Sequence, residues 1–405
     1  VTISFDAIEL LITQIAALHD AQPALSKADL VLRLKKSAPH SDPDTISLAL
    51  DTFIARRTAT EKLGAWSKLG FFVSALVEQA SRQAIAEYRA RLFAGVSHIL
   101  EIGTGTGSDT AALARVSKHV TTVEADPIRA ELAKRNLALQ GITNVTFLVG
   151  ELAQLRPSLD LPSFDGLFAD PARRTIQGHR IKDPDDYSPP LVELLTLTAA
   201  KVRAIKVSPG LFFDAAQHGA TDHGWARAFV GYGDECLEQT LWLGAPVSDS
   251  SVFLVDHNIG WAPSATPRRS LPHPNTLSGF VSEAHAVVNR SQHLSQFFAE
   301  RGIAQIAPDV AYGISEALPP QDRLISSFEI IDAFPFATSK LRSTLAALGW
   351  TNRSEFKKRN FADDLDQLRS SMKLPPHFHG APFGTILLFT WHNTPWVIIA
   401  RRFSE

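Results

Sequence analysis

The segment Ile99-Leu-Glu-Ile-Gly-Thr-Gly-Thr-Gly-Ser-Asp109 joins an acid, three alternating glycines and two threonines between an apolar run and a helical one. Glycine at 103, 105 and 107 lets backbone N–H groups approach a ligand at a helix N-terminus, because no Cβ stands in the way. A second apolar run ends Val120-Thr-Thr-Val-Glu124-Ala-Asp126, where a carboxylate can accept hydrogen bonds from both hydroxyls of a ribose. Glu124 is the first candidate for that role and Asp126 the second. Glu151 follows a third run and is placed for the adenine amino group or its neighbourhood. The expected cofactor-binding set is Glu101, Gly103, Thr104, Gly105, Gly107, Asp109, Glu124, Ala125, Glu151 and Asp170.

A glycine loop after a strand serves several nucleotide cofactors. The nicotinamide fingerprint would put glycine at 108, where this chain has Ser108, and would not ask for an acid two residues before the first glycine. Glu101 and the Gly-x-Gly-x-Gly spacing favour a methyl donor, S-adenosylmethionine. Methyl transfer from a sulfonium is an in-line displacement by an acceptor the protein must align and whose proton it must manage. Phe168-Ala-Asp170-Pro-Ala-Arg-Arg174 stands where an open α/β sheet forms its crevice. The expected catalytic residues are Asp170, Pro171, Arg173 and Lys206. Asp170 positions or deprotonates the acceptor, and Pro171 fixes φ and shapes the loop. Arg173 and Arg174 hold a substrate phosphate or carboxylate, or serve as structural ion-pair partners. Lys206 and Ser208 line the acceptor pocket or pack the strand end. Tyr187, with Pro189 and Pro190, forms a wall of the site or starts the next helix.

These residues need a parallel sheet to carry them. Short β-branched runs at 98–102, 119–124, 145–149, 165–169 and 203–207 alternate with amphipathic helices, as in a sheet covered on both faces. Runs at 227–232 and 238–243 are separated by a turn too short for a parallel crossover, so they form an antiparallel hairpin. The expected fold class is α/β: a class I, Rossmann-like methyltransferase sheet of seven strands ending in an antiparallel hairpin. An all-α domain over 1–93 precedes it, with a last helix over 71–93 and a cap at Ser41 or Asp44. The methyltransferase domain covers 94–260. Small α+β domains follow: a ferredoxin-like segment at 277–320 with a helix over 286–301, and 324–405 in the order β-α-β-α-β-β.

At 405 residues, 45% apolar and 20% charged, the composition is that of a globular protein of several domains. Forty Lys and Arg against 42 Asp and Glu leave net charge silent about nucleic acid. Cys236 is the only cysteine, which excludes an internal disulfide framework and a multi-cysteine metal site, and agrees with a reducing compartment. No stretch approaches the roughly 18–20 apolar residues of a membrane span. The cytoplasm is the expected location, without a membrane partner or a metal; His377 and His379 have no third ligand.

The chain resembles a bacterial family of largely uncharacterised class I methyltransferases with a C-terminal THUMP-like domain. The resemblance rests on Glu78-Gln-Ala-Ser-Arg, the glycine loop, Phe168 to Arg174, Tyr187-Ser-Pro-Pro190, Lys206-Val-Ser-Pro-Gly210, Glu235-Cys-Leu-Glu238 and Phe356-Lys-Lys-Arg-Asn360. It implies S-adenosylmethionine as cofactor and, because THUMP domains in other proteins bind structured RNA, an RNA partner. Lys357, Lys358 and Arg359, with Arg401 and Arg402, are then basic contacts beside Arg174, Tyr187 and Ser208 as substrate-binding residues. Exocyclic-amine enzymes read Asp/Asn-Pro-Pro-aromatic, and Ala172-Arg173 departs from that. Uridine C5 enzymes need a cysteine after the fifth strand, where Ser208-Pro209 stands. Protein or small-molecule methylation, and a non-catalytic S-adenosylmethionine- or RNA-binding regulator, are the alternatives. The acceptor and the oligomeric state are not specified by the sequence.

Overall fold

A computed structural model describes residues 4–174 and 179–402. The chain divides into two compact units, one holding residues up to Arg227 together with Glu238–Val247, the other Ala228–Leu237 together with the chain from Ser248.

The first unit opens with helices Phe5–Ala21, Lys27–Ser37 and Pro43–Thr58. Ser26 and Asp29 form a reciprocal capping box on the second helix. Asp42, rather than Ser41 or Asp44, caps the third: its Oδ1 accepts the Asp44 and Thr45 N–H groups, and Pro43 occupies the first turn. Ile8, Leu11, Ile15, Leu34, Leu50 and Phe53 meet in one apolar cluster that also contains Leu132 of helix Pro127–Leu139. Where one helix was expected over 71–93 there are two, Ser74–Gln79 and Gln83–Arg91, broken at Ala80-Ser81-Arg82. That break frees Ser81 to turn toward the sheet.

The sheet strands are β1 (His98–Ile102), β2 (His119–Glu124), β3 (Val145–Val149), β4 (Gly166–Ala169), β5 (Val202–Val207), β6 (Ala226–Tyr232) and β7 (Glu235–Leu243). Within the first unit their order is β3-β2-β1-β4-β5-β7. The first five strands are parallel and β7 runs antiparallel to β5, pairing Lys206 with Thr240 and Val207 with Gln239. A two-residue turn, Gly233-Asp234, joins β6 to β7. Sequence runs placed these strands within a few residues because a parallel strand buried on both faces reads as a continuous apolar run.

In the second unit β8 (Ser251–Leu254) pairs parallel with the Ala228–Gly231 part of β6, and β9 (Ile259–Trp261) pairs with β8. The helix expected over 286–301 is broken into Ala286–Arg290 and Leu294–Glu300 where Gln292 takes a positive φ. Seven further strands form one sheet: β10 (Phe280–Ala284), β11 (Ala304–Ala307), β12 (Val310–Ser315), β13 (Ile325–Pro335), β14 (Glu355–Arg359), β15 (Thr385–Trp391) and β16 (Thr394–Arg402). Their order is β11-β12-β10-β13-β16-β15-β14, so the 277–320 and 324–405 segments contribute to the same sheet. The sheet curls strongly: Lys357 and Arg359 on edge strand β14 reach Glu283 on β10, with three strands between them in the order, at 2.7 and 2.6 Å. Val281, Tyr312, Phe328 and Phe389 fill the inside of the curl, and helices Thr338–Ala347 and Leu365–Met372 cover the other face. Among the described residues no helix is long and apolar enough to cross a membrane.

Candidate active site

The glycine loop leaves β1 and enters helix Ser108–Val116, with φ of +92°, +55° and +82° at Gly103, Gly105 and Gly107. These conformations exclude most side chains. A Cβ on Gly103 would lie 2.6 Å from the Asp170 carbonyl oxygen, whereas one on Gly105 would meet only open space. Gly103→Ala therefore combines a left-handed backbone with a clash between neighbouring strand ends. It is expected to destabilise the protein by about 1–3 kcal/mol, read from its urea midpoint; an unchanged midpoint would contradict this packing.

Glu124 holds the loop from the side. Its Oε2 accepts the Gly105 N–H at 3.0 Å and its Oε1 the Asp126 N–H at 3.2 Å. Asp126 itself caps helix Pro127–Leu139 through the N–H groups of Ile128 and Arg129. Thr104 shares a hydroxyl hydrogen bond with Thr122 at 2.6 Å, so its side chain faces β2. Ala125 and Glu151 are exposed at the ends of β2 and β3.

Glu101 lies beneath the loop, fully buried. Its Oε2 accepts from the Thr110 hydroxyl at 2.6 Å, while Oε1 has no partner. Burial lifts its carboxyl to about 8, against the opposing pull of the Thr110 hydrogen bond. The folded chain thus keeps a proton that the unfolded chain gives up near its ordinary value of 4.5. The stabilising contribution is complete below that value and is lost as pH rises toward 8. Glu101→Gln, neutral throughout, is expected to melt progressively higher than the unsubstituted protein between pH 5 and 9; parallel melting curves would contradict this burial.

Asp109, expected to face the cofactor, is turned into a buried ion network. It accepts from the Ser81 hydroxyl at 2.7 Å and pairs with Arg89, which also reaches Glu238 at 2.6 Å. The Arg89 side chain is 2% exposed and lies over the Phe168 ring at 4.8 Å. Ser81 extends the network, since Lys206 Nζ donates to its Oγ at 3.1 Å and to Asp170 Oδ2. Sequence reasoning left Arg89 unassigned. Its signal was present: an arginine at the helical spacing of Ile85, Ala86 and Ala90, on the face that is buried.

Asp170 stands at the end of β4 with its side chain 23% exposed. Burial alone would raise its carboxyl, but Lys206 foremost, then Arg173 and Arg89, hold it below the ordinary carboxylate range. It is an anion at neutral pH, a strong hydrogen-bond acceptor and a weak base. The loop around it is clamped. Pro171 is buried; Ala172 exchanges backbone hydrogen bonds with Ser188 at 2.8 and 3.2 Å; Arg173 donates to the Val207 carbonyl at 2.9 Å. Arg173 is thus spent largely on joining the β4 and β5 ends, and Arg174 is exposed beyond it. Tyr187 packs in the core with Leu191 and Leu194 rather than walling the crevice. Ser208 is half-buried just past β5, with Phe212 four residues on and 63% exposed. In the second unit Lys357 and Arg359 both engage Glu283, and Lys358 Nζ donates to the Asp363 carbonyl at 3.0 Å.

Glu101, Glu124, Asp170 and Lys206 therefore converge from the C-terminal ends of β1, β2, β4 and β5, the edge at which open α/β sheets bind ligands. Residues 99–176 match the model of a methyltransferase domain, and residues 325–402 that of a THUMP domain-like family. This chain is a methyltransferase with a THUMP-like C-terminal domain. It is 26% identical over 336 residues to an uncharacterised S-adenosylmethionine-dependent methyltransferase of Mycobacterium tuberculosis, covering 80% of this chain and 88% of that one. A tRNA (guanine-N(7)-)-methyltransferase of Mycobacterium bovis is 25% identical over 185 residues, 44% of this chain and 64% of its own length. The methyltransferase shares its fold with a crystal structure assigned as a methyltransferase from Porphyromonas gingivalis W83, at TM-score 0.73, 17% identity and complete coverage of both chains.

Proposed function

We propose that this methyltransferase transfers a methyl group from S-adenosylmethionine to RNA. S-adenosylmethionine is the donor, as in the relatives that span most of the chain. Gly103, Thr104, Gly105 and Gly107 present the backbone to it, Glu124 and Ala125 the ribose contacts, and Glu151 the adenine edge. The Glu101 oxygen without a hydrogen-bond partner and the open space over Gly105 suit a ligand that brings a hydrogen-bond donor to the loop. Asp109 acts indirectly, holding the start of the helix that follows the loop.

Asp170 orients the acceptor by accepting its N–H or O–H, and its charge stabilises an acceptor that becomes more positive as the methyl arrives. Its depressed pKa makes it a positioning anion more than a proton sink. The observation that carries the RNA half of the reading is the THUMP-like match over 325–402, because THUMP domains elsewhere bind structured RNA; the partial tRNA-enzyme relative agrees.

The test is incubation of the purified chain with methyl-tritiated S-adenosylmethionine and with RNA, protein and small-molecule fractions of cells lacking the gene. Label in ribonuclease-sensitive material is expected. Label in a protease-sensitive band or a metabolite assigns a different acceptor. Cofactor binding with no incorporation makes the chain a regulator.

A further inference from the structure

The connection from helix Leu365–Met372 to β15 carries an aromatic and cationic surface that the methyl-transfer site does not use. Phe378 is 67% exposed and Phe383 is 42% exposed. The Arg353 guanidinium lies over the Phe383 ring at 4.3 Å, and the His377 ring meets that ring edge-on, with centroids 5.6 Å apart at 90°. This arrangement is fixed by polar contacts. Arg353 Nη1 lies 3.3 Å from His377 Nε2, and His377 Nδ1 lies 3.0 Å from the Thr351 hydroxyl, which is itself 3.4 Å from the Pro382 carbonyl. The three contacts are satisfied together when a neutral His377 accepts from Arg353 and donates to Thr351, which donates onward. Asn352 Oδ1 accepts the His377 N–H at 3.0 Å, and its carbonyl accepts from Arg369 at 2.7 Å, drawing a second guanidinium to the same place.

Charge on this stretch has one sign. From Gln367 to Gly384 the charged residues are Arg369 and Lys373, with no aspartate or glutamate. Exposed phenyl faces and planar guanidinium groups stack on bases, and cations without acids among them favour a phosphate backbone. Bases within a duplex offer no free face, so the match is to unpaired nucleotides. A loop that enters a lipid surface would project bare apolar side chains. Here Phe383 already carries a guanidinium on its face, and that group keeps its hydration only outside hydrocarbon.

We propose that Arg353, His377, Phe378 and Phe383 form a stacking platform for single-stranded RNA. The proposal extends the RNA reading above and rests on it, adding a contact made by residues of the second unit.

The experiment is fluorescence anisotropy of a labelled oligoadenylate with the full-length chain, as a single strand and annealed to its complement. Phe378→Ala and Arg353→Ala are compared with the unsubstituted chain, with thermal melting and S-adenosylmethionine binding measured alongside. The single strand is expected to bind more tightly than the duplex. Each substitution is expected to weaken single-strand binding by about tenfold, leaving melting and cofactor binding unchanged. Equal binding by both variants overturns the platform, as does capture by phosphatidylserine vesicles that oligoadenylate does not displace. Failure here is separable from failure of the RNA reading: if tritium still enters RNA while the variants bind the strand normally, the acceptor assignment stands and the platform falls.

Discussion

Asp170→Ala is expected to lower the rate of methyl transfer by roughly 10²- to 10⁴-fold with S-adenosylmethionine binding retained. The side chain pairs with Lys206 and Arg173 and is partly exposed. Removing it takes away the anion that aligns the acceptor and leaves the Lys206 ammonium, 4% exposed, without its counter-ion. Asp170→Asn separates the two effects, since it keeps shape and one acceptor oxygen but removes charge. If transfer depends on the carboxylate, both variants fail in single-turnover assays with donor bound. A rate within a few-fold of the unsubstituted enzyme would remove Asp170 from the reaction.

The second large effect concerns folding. Arg89→Met removes the guanidinium that pairs with the buried carboxylates of Asp109 and Glu238, a change that costs about 3–5 kcal/mol when one member of a buried ion pair is removed. The loss is transmitted to the site, because Asp109 begins the helix that follows the glycine loop and Ser81 joins Asp109 to Lys206. Urea unfolding should show the drop, and adding Asp109→Asn and Glu238→Gln to the same chain should recover part of it. A fall of under about 1 kcal/mol would mean that the network contributes little.

The sheet and the residues at its edge were legible because their signals are local. Five parallel strands appear as apolar runs, and Glu124 and Asp170 are recognisable as acids at strand ends. What the sequence hid depends on separation. Arg89 meets Glu238 across 149 positions and Arg359 meets Glu283 across 76, so neither the ion network nor the closing of the C-terminal sheet can be inferred from spacing. Asp109 looked like a ligand because it begins the loop helix, yet the break at Ser81 turns a hydroxyl and a guanidinium onto it. Lys357 and Arg359 looked like basic contacts for RNA, and a single glutamate from another strand gathers both. The helix breaks at Ser81 and Gln292 went unread because neither carries a proline or glycine.

Calorimetric titration of S-adenosylmethionine into the unsubstituted chain and into Glu124→Ala tests most directly whether the glycine loop and Glu124 form one cofactor site. One site per chain is predicted, with affinity lowered by at least about tenfold in the variant, as expected for hydrogen bonds to a charged group. No binding to the unsubstituted chain, or equal binding by both, would contradict it.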